Sequence, residues 1–239
     1  MSGHEVLVFD LKGDYAHFRK VYTTSSQLTY GVPPRTTLAG LIAGILGLER
    51  NSYYQLFSRE NSRLSLSIMK PIRKCIINQN LLKTKDETLG LINLSTKPPR
   101  RIERIQVPFE MVKDPWYRVY LYLRDEGIFE RLEEYLKNHQ SVYTPCLGIS
   151  ELLADFQYVG RQGAVQEKGE GEINSVIRKG AAVIQIEAGK KYVRERMPGF
   201  FSKGRVPKYL DILYEPDGKT IKVTEAEYFS IGDRNIVFF

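Results

Sequence analysis

The chain has 239 residues, of which 42% are hydrophobic, enough to form a core and too many for a disordered chain. Lys and Arg number 35 against 28 Asp and Glu, and the resulting charge of +7 favours a polyanionic partner such as nucleic acid. Cys75 and Cys146 lie far apart, without a CxxC motif or a cluster of histidines. A disulfide framework and a zinc site are therefore not expected, and the composition fits the reducing cytoplasm.

In chain order, the first predicted element is an apolar strand. Residues 6–11 are apolar on both faces, which is typical of a central strand in a sheet. Residues 1–4 lead directly into it, so no signal peptide is expected. Residues 12–14 predict a turn or bulge, after which residues 15–22 continue in an extended conformation.

A short apolar helix is predicted after a pair of prolines. Pro33 and Pro34 force extended backbone and suit the last residues before a helix or its first position. Thr36 and Thr37 are the predicted caps, and Gly47 is the predicted exit. Large and small side chains recur at helical spacing on two different faces: Leu38, Leu41, Ile42 and Ile45, and Gly40, Ala43, Gly44 and Gly47. The large face is expected in the core, and the small face close to other backbone. The helix is too short to span a membrane.

The start of this helix has the features of a phosphate site. A helix N-terminus offers free N–H groups and a partial positive charge. The loop before it is rich in cations and hydroxyl groups. We predict that RNA contacts come from Arg19, Lys20, Tyr22, Thr23, Thr24, Ser25 and Arg35. The alternative is an ordinary capped helix with a polar loop, in which Arg35 forms a structural salt bridge.

The following elements complete an alternation of strands and helices. The pattern predicts a second short helix near residues 52–58, an amphipathic helix at 127–138, and strands at 64–68, 116–123 and 153–159. The order strand, helix, strand, strand, helix, strand predicts an α+β, ferredoxin-like (βαββαβ) domain, an arrangement shared with RNA-recognition modules. The aromatic motif of those modules is absent, so we do not expect bases to stack on the sheet.

A long insertion, at about residues 70–114, separates two of these strands. It contains ten basic residues, and residues 97–101 (KPPRR) form a stiff, basic candidate for its tip. Residues 76–77 and 105–107 are predicted to lie in flanking strands. We predict RNA contacts from Lys97, Arg100, Arg101 and Arg104. The alternative is a solvated, charged hairpin.

The remainder is predicted to be a small β-rich region. We place the ferredoxin-like domain at residues 1–162 and the β-rich region at 163–239. Residues 160–163 (GRQG) resemble a weak GXXG backbone clamp, which makes Arg161 a candidate RNA contact. Residues 169–172 predict a flexible acidic turn, and residues 214–219 predict a hairpin turn between strands at 209–213 and 220–223. Seven basic residues between 190 and 208 could face RNA or another protein.

No convincing catalytic or metal-binding constellation is found, and no cofactor is expected. Walker, HExxH and G-x-S-x-G motifs are absent. One candidate chemistry is metal-independent RNA cleavage, for which a base must activate a 2′-hydroxyl. His17, flanked by Tyr15, Lys20 and Tyr22, could supply the groups. A lone histidine beside a strand is more often a packed, hydrogen-bonded residue, so we predict that the chain is not an enzyme.

Three stretches carry a resemblance to a known family. The run HFRKVYTTSSQLTYGVPPRTTLAGLIAGILGL at residues 17–48 resembles the N-terminal signature of the fifth CRISPR-associated (Cas) protein family. Two later runs are also similar to it: YTPCLGISELLADF at 143–156 and YFSIGDRNIVFF at 228–239. That family belongs to the repeat-associated RNA-binding (RAMP) superfamily and supplies a subunit of Cascade complexes. The likeness is greatest to subtype I-B members.

The resemblance implies a non-catalytic subunit that grips the 5′ handle of the guide RNA (crRNA) in antiviral defence. It would cap the backbone filament, with the insertion as a thumb that reaches over the RNA. The implied partners are the crRNA, the backbone RAMP subunits, the large subunit and, through the complex, target DNA, with no membrane. One alternative is an endoribonuclease that processes precursor crRNA, as the I-C branch does with Tyr, His and Lys. A second is a general basic RNA-binding domain outside any complex.

Overall fold

Strands are the main regular secondary structure of the computed structural model, which describes residues 4–23, 26–82, 104–202 and 204–239. Two helices and thirteen strands lie within these ranges. The elements in chain order are β1 (His4–Lys12), β2 (Tyr15–Ala16), α1 (Arg35–Leu46), β3 (Ser62–Ile68), β4 (Arg73–Leu82), β5 (Arg104–Lys113), β6 (Trp116–Leu123), α2 (Glu126–Lys137), β7 (Asp155–Ile173), β8 (Ile177–Arg178), β9 (Ala182–Ile184), β10 (Val193–Ser202), β11 (Val206–Tyr214), β12 (Ile221–Ile231) and β13 (Arg234–Ile236).

The largest sheet has the strand order β13-β12-β7-β1-β6-β3, with β9 beside β12. As the sequence predicts, β1 is central: it pairs antiparallel with β6 on one side and β7 on the other. Both of its faces are buried. Leu7 and Phe9 lie in the main core with the helices, whereas Val6 and Val8 lie in a second core with residues of β12 and β13. This explains why the strand is apolar without alternation.

The predicted helix after the proline pair is confirmed as α1. Leu38, Ile42 and Ile45 on its large face are fully buried, and Gly47 ends it in the left-handed conformation at φ 69°. The predicted threonine caps are wrong. Pro34 occupies the cap position, and no side chain bonds to the free N–H groups there. Pro34 has the extended backbone that its ring favours, which orients the chain without a capping hydroxyl.

The short helix predicted near residues 52–58 is wrong. This segment forms successive turns, with single backbone bonds such as Phe57 N–H to the Tyr53 carbonyl at 3.1 Å. A helix of seven residues would leave most of its N–H and C=O groups without partners. The turns instead place the Phe57 side chain in the core. The amphipathic helix is confirmed as α2, capped by Asp125, which accepts from Ile128 N–H at 3.0 Å.

The insertion contains the two strands predicted at its flanks. β4 and β5 form an antiparallel ribbon whose pairs run from Arg73–Lys113 to Leu82–Arg104, and β2 adds to the other edge of β5. The predicted tip at residues 97–101 lies outside the described residues.

The C-terminal region continues the main sheet. The boundary predicted near residue 162 falls within β7, whose first half pairs with β1 and whose second half pairs with β12. Residues 160–163 and 169–172, predicted as a clamp and a turn, are both part of this strand. The predicted hairpin around residues 214–219 is also wrong. A turn is present at Glu215–Gly218, but β11 pairs with β10 and β12 pairs with β7, so the chain passes between two sheets.

Candidate nucleic-acid interface

The loop before α1 and the base of the β4–β5 ribbon form one connected surface. Gln27 donates its N–H to the Pro108 carbonyl at 3.1 Å, and its own carbonyl accepts from Glu110 N–H at 2.8 Å. The Glu110 carboxylate accepts from Thr29 N–H at 3.0 Å and from Lys74 Nζ at 3.2 Å. Because these bonds tie the loop to both strands, the two segments are held in a fixed relation.

This loop–ribbon surface carries cations that have no anionic partner among the described residues. Arg19, Arg73 and Lys113 are exposed on it, and Arg104 is exposed at the far end of the ribbon, where it pairs with Leu82. None of the four forms an ion pair with another described residue. Arg19 and Lys74 both lie next to Thr29. Arg19 forms an isolated antiparallel β-bridge with Thr29, and Lys74 Nζ donates to the Thr29 carbonyl oxygen at 2.7 Å. Unpaired guanidinium and ammonium groups on a firm backbone are suited to contact phosphates.

Of the loop residues predicted to bind RNA, Arg19 and Tyr22 are exposed, and Tyr22 has 68% of its surface free. Thr23 is half-buried, and its hydroxyl donates to the Lys20 carbonyl at 2.8 Å. Lys20 itself is held by an ion pair with Glu195 at 2.8 Å, so its charge is already compensated. Thr24 and Ser25 lie outside the described residues.

The structure corrects the prediction that Arg35 holds a phosphate. Arg35 is 1% exposed; its Nε donates to the Phe239 carbonyl at 2.9 Å and its Nη1 to the Phe57 carbonyl at 2.6 Å. Nη2 donates to Ser62 Oγ at 2.7 Å, and the guanidinium lies 4.1 Å from the centre of the Phe200 ring. No phosphate can reach a side chain enclosed in this way. Arg35 therefore has the structural role that the sequence analysis gave as the alternative. Its partners are backbone oxygens and a hydroxyl group, not the side-chain carboxylate of a salt bridge.

Arg161 is also engaged elsewhere. It forms ion pairs with Glu5 and, at 3.2 Å, with Glu133, and it packs over Phe129 of α2. Two carboxylates therefore compensate its charge on the helix side of the sheet. Arg104 is exposed at the start of β5, as an RNA contact requires. Lys97, Arg100 and Arg101 lie in the part of the insertion that the structure does not describe.

His17, the candidate base, is buried beneath the loop with 1% exposure. Its Nδ1 lies 2.8 Å from the Glu110 carbonyl oxygen, and because a carbonyl only accepts, Nδ1 carries the proton. Its Nε2 is buried without a hydrogen-bond partner among the described residues. Burial lowers the pKa of His17; the bond to the Glu110 carbonyl opposes this shift, and the charge of Arg19 adds to it.

We expect the free energy of unfolding to decrease as the pH falls below about 6.5. The unfolded chain binds a proton at His17 near that pH, whereas the folded chain, in which the pKa of His17 is lowered, binds it only at lower pH. The stabilisation is therefore complete above this pH and is lost on acidification. Urea unfolding at several pH values measures it. His17→Asn keeps a donor near Nδ1 but does not titrate, so it should flatten the dependence; equal pH dependence in both proteins would contradict the assignment.

Sequence reasoning missed the residues that organise this surface, Gln27 and Glu110. Glu110 is one of five acidic residues in the basic insertion, and no feature of the sequence distinguishes it from the other four. Nothing in the sequence marks Gln27, because its role depends on backbone bonds to a strand about eighty residues away.

The face of the main sheet opposite the helices is covered. Val8 and Tyr120 on this face are 1% exposed and pack with Ile231 and Ile236. The rings and methyl groups of these side chains are therefore not available for base stacking. No group of metal-binding side chains occurs within the described ranges. Neither helix found in them is long and apolar enough to cross a membrane.

Comparison with solved structures defines the class of fold. A crystal structure of a CRISPR protein from Archaeoglobus fulgidus superposes with a TM-score of 0.62 at 13% identity, covering 98% of both chains. A chain of a CRISPR RNA-guided surveillance complex superposes with a TM-score of 0.53 at 13% identity, covering 95% of this chain and 91% of that one. The mixed α/β fold, mostly strands with two helices in the described part, is thus one found in CRISPR-associated proteins.

The sequence match is more specific. A family model described as CRISPR-associated protein (Cas_Cas5) matches residues 6–206. The chain therefore belongs to the Cas5 family, which confirms the predicted family. The match includes the stretches at residues 17–48 and 143–156, whereas the third, at 228–239, lies beyond the matched range. Among curated proteins, a sequence search finds no significant match.

Proposed function

We propose that this chain is a subunit of a type I CRISPR RNA-guided surveillance (Cascade) complex that binds the 5′ handle of the crRNA and caps the backbone filament. The observation that carries the proposal is the loop–ribbon surface, where Arg19, Arg73 and Lys113 lie close to the hydrogen bonds that join loop and ribbon, with Arg104 farther along the same ribbon. None of these four cations forms an ion pair with another described residue. Membership of the Cas5 family supports the setting in antiviral defence. The proposal includes the I-B subtype and the prokaryotic cytoplasm, where free thiols such as Cys75 and Cys146 persist.

The proposed architecture is a ferredoxin-like RAMP domain with a thumb. The strand order β7-β1-β6-β3, with α1 after β1 and α2 after β6, supports the βαββαβ arrangement. The β4–β5 ribbon is the proposed thumb, which reaches over the RNA towards a backbone RAMP subunit. The large subunit is the other proposed protein partner.

In this proposal, arginine and lysine of the loop–ribbon surface contact phosphates, which set the affinity and register of the RNA. Exposed Tyr22 is placed to contact a splayed handle base. Target DNA is recognised by pairing with the guide, and this chain needs no cofactor of its own.

We also propose that the chain does not cleave RNA. His17 is enclosed, its free Nε2 faces no solvent, and Lys20 is paired with Glu195. A general base must lie within hydrogen-bond reach of the 2′-hydroxyl, directly or through one water. Tyr22, by contrast, is exposed, so the endoribonuclease alternative is included in the experiment below.

We expect that replacing Arg73, Arg104 and Lys113 with Ala weakens the binding of CRISPR repeat RNA by roughly tenfold or more at moderate salt. The dependence of log K on log salt should flatten by about 0.7 for each phosphate that is no longer bound. Fluorescence anisotropy of the full chain with labelled RNA measures both. The same RNA, recovered and run on a denaturing gel, should be intact.

The matched control replaces Arg124, Lys137 and Lys168, which are exposed elsewhere, and removes the same charge. If this control weakens binding and flattens the salt dependence equally, only net charge matters and the surface assignment fails. Cleavage at one repeat position, abolished by His17→Ala, would instead support the endoribonuclease alternative.

A further inference from the structure

The basic region at residues 190–208 is not used by the function proposed above, and part of it lies beside a cleft. This cleft lies between the turns at residues 55–60 and the β10–β11 hairpin, and its volume is about 420 Å³. Small-ligand sites typically measure roughly 300–1,000 Å³. The space is therefore suited to a small group or to one part of a longer chain.

The lining of the cleft combines aromatic rings with cations. Phe201 and Tyr209 line it from the hairpin, and Tyr209 is 39% exposed. Arg59 lines it from the turns and Lys208 from the hairpin. Both cations are exposed, and within the described residues neither forms an ion pair, not even with Glu60, the acidic residue of the lining.

The cations around the cleft form no ion pair with any carboxylate in the part of the chain that the structure describes. Burial lowers the pKa of Arg35 and of Arg178, and in both cases the positive charge of Arg59 lowers it further. Further cations lie over the aromatic rings: Arg196 is 5.6 Å from the Tyr209 ring and Arg205 is 5.9 Å from the Phe201 ring. A protein accepts several like charges in one place most readily where an anion is bound.

We propose that this cleft binds single-stranded nucleic acid, with a base stacked on Tyr209 or Phe201 and phosphates contacted by Arg59 and Lys208. Aromatic faces beside unpaired cations suit the two parts of a nucleotide, since bases stack on rings and phosphates bind cations. An acidic peptide would satisfy the cations but would leave the exposed ring of Tyr209 without a stacking partner. The site is separate from the loop–ribbon surface and does not depend on the function proposed for it.

The test measures binding of labelled oligouridylate and oligothymidylate of about twelve nucleotides, within the usual site sizes for single strands. Arg59→Ala combined with Lys208→Ala should weaken binding and flatten the salt dependence by about 1.4, or 0.7 for each phosphate. Tyr209→Ala should weaken binding roughly tenfold, whereas Tyr209→Phe, which keeps the ring, should bind as the unchanged protein does. The matched control, Arg124→Ala with Lys137→Ala, removes equal charge at the two ends of α2, and no residue of α2 lines the cleft.

Each outcome decides the proposal. Preference for the uridylate or the thymidylate strand identifies RNA or DNA as the source of the ligand. Equal effects of the cleft and control variants, or wild-type binding by Tyr209→Ala, would overturn the proposal. Equal competition by a polyglutamate peptide would show that the cleft selects charge alone, which also overturns it. If only the Arg73, Arg104 and Lys113 variant loses binding, the cleft proposal fails while the function proposed for the loop–ribbon surface stands.

Discussion

Replacing Arg35 with Ala is expected to lower the free energy of unfolding by about 3–5 kcal/mol. The substitution leaves the carbonyl oxygens of Phe57 and Phe239 and the hydroxyl of Ser62 without their donor in a buried site. Each buried group without a partner costs about 1–3 kcal/mol, and the guanidinium no longer packs on the Phe200 ring. Urea unfolding of the purified variant measures the change.

The matched control is Arg19→Ala, which removes an exposed arginine from the same sequence stretch. Arg19 makes one long side-chain bond, 3.3 Å to the Thr23 carbonyl, so its loss should change stability by less than about 0.5 kcal/mol. The affinity for RNA should show the reverse of the pattern in stability. Arg19→Ala should weaken RNA binding, whereas the folded fraction of Arg35→Ala should bind RNA as the unchanged protein does. A stable Arg35→Ala protein that no longer binds RNA would restore the phosphate role for Arg35.

Gly148→Ala is expected to destabilise the chain by roughly 2–6 kcal/mol, which is comparable to the whole stability of many domains. Gly148 has φ 107°, a conformation that L side chains rarely adopt. A Cβ there would lie 1.9 Å from the His17 carbonyl oxygen, which is backbone and cannot rotate away. The expected result is a large fall in the melting temperature or a failure to fold.

Gly163→Ala supplies the matched control for this substitution. Gly163 lies in β7 without a positive φ, and a Cβ would meet no atom within 4 Å. Its replacement should leave stability unchanged or slightly increased, because Ala restricts the unfolded chain more than Gly does. If Gly148→Ala is as stable as Gly163→Ala, the close approach of the two segments is not present in solution.

Arg35 and Gly148 both lie in stretches that carry the family resemblance. The three stretches that carry it, at residues 17–48, 143–156 and 228–239, meet around α1. His17 N–H donates to the Leu147 carbonyl at 2.9 Å, and Arg35 Nε donates to the Phe239 carbonyl at 2.9 Å. The residues that make the sequence recognisable therefore include those that hold the fold together, which is why a recognisable arginine need not bind RNA.

The local pattern of the sequence was sufficient for the elements that depend on nearby residues. The apolar run of β1, the spacing of Leu38, Ile42 and Ile45 in α1 and the amphipathic pattern of α2 involve interactions within a strand or a few helical turns. Such patterns follow from the period of the helix or strand alone. The excess of Lys and Arg likewise predicted a polyanionic partner without reference to the fold.

Which strands pair, and whether a charged side chain is buried, depends on contacts between segments that are distant in the sequence. Alternation along β11 and β12 shows that both are strands, but it does not show that β11 pairs with β10 and β12 with β7. An arginine at a helix start has the same sequence signature whether it faces solvent or, like Arg35, three oxygens in the core. The structural role of Arg35 depends on residues 57–62 and 239, which enclose it in the folded chain. The cost of burying a cation is offset by hydrogen-bond acceptors, and here these acceptors lie far apart in the sequence.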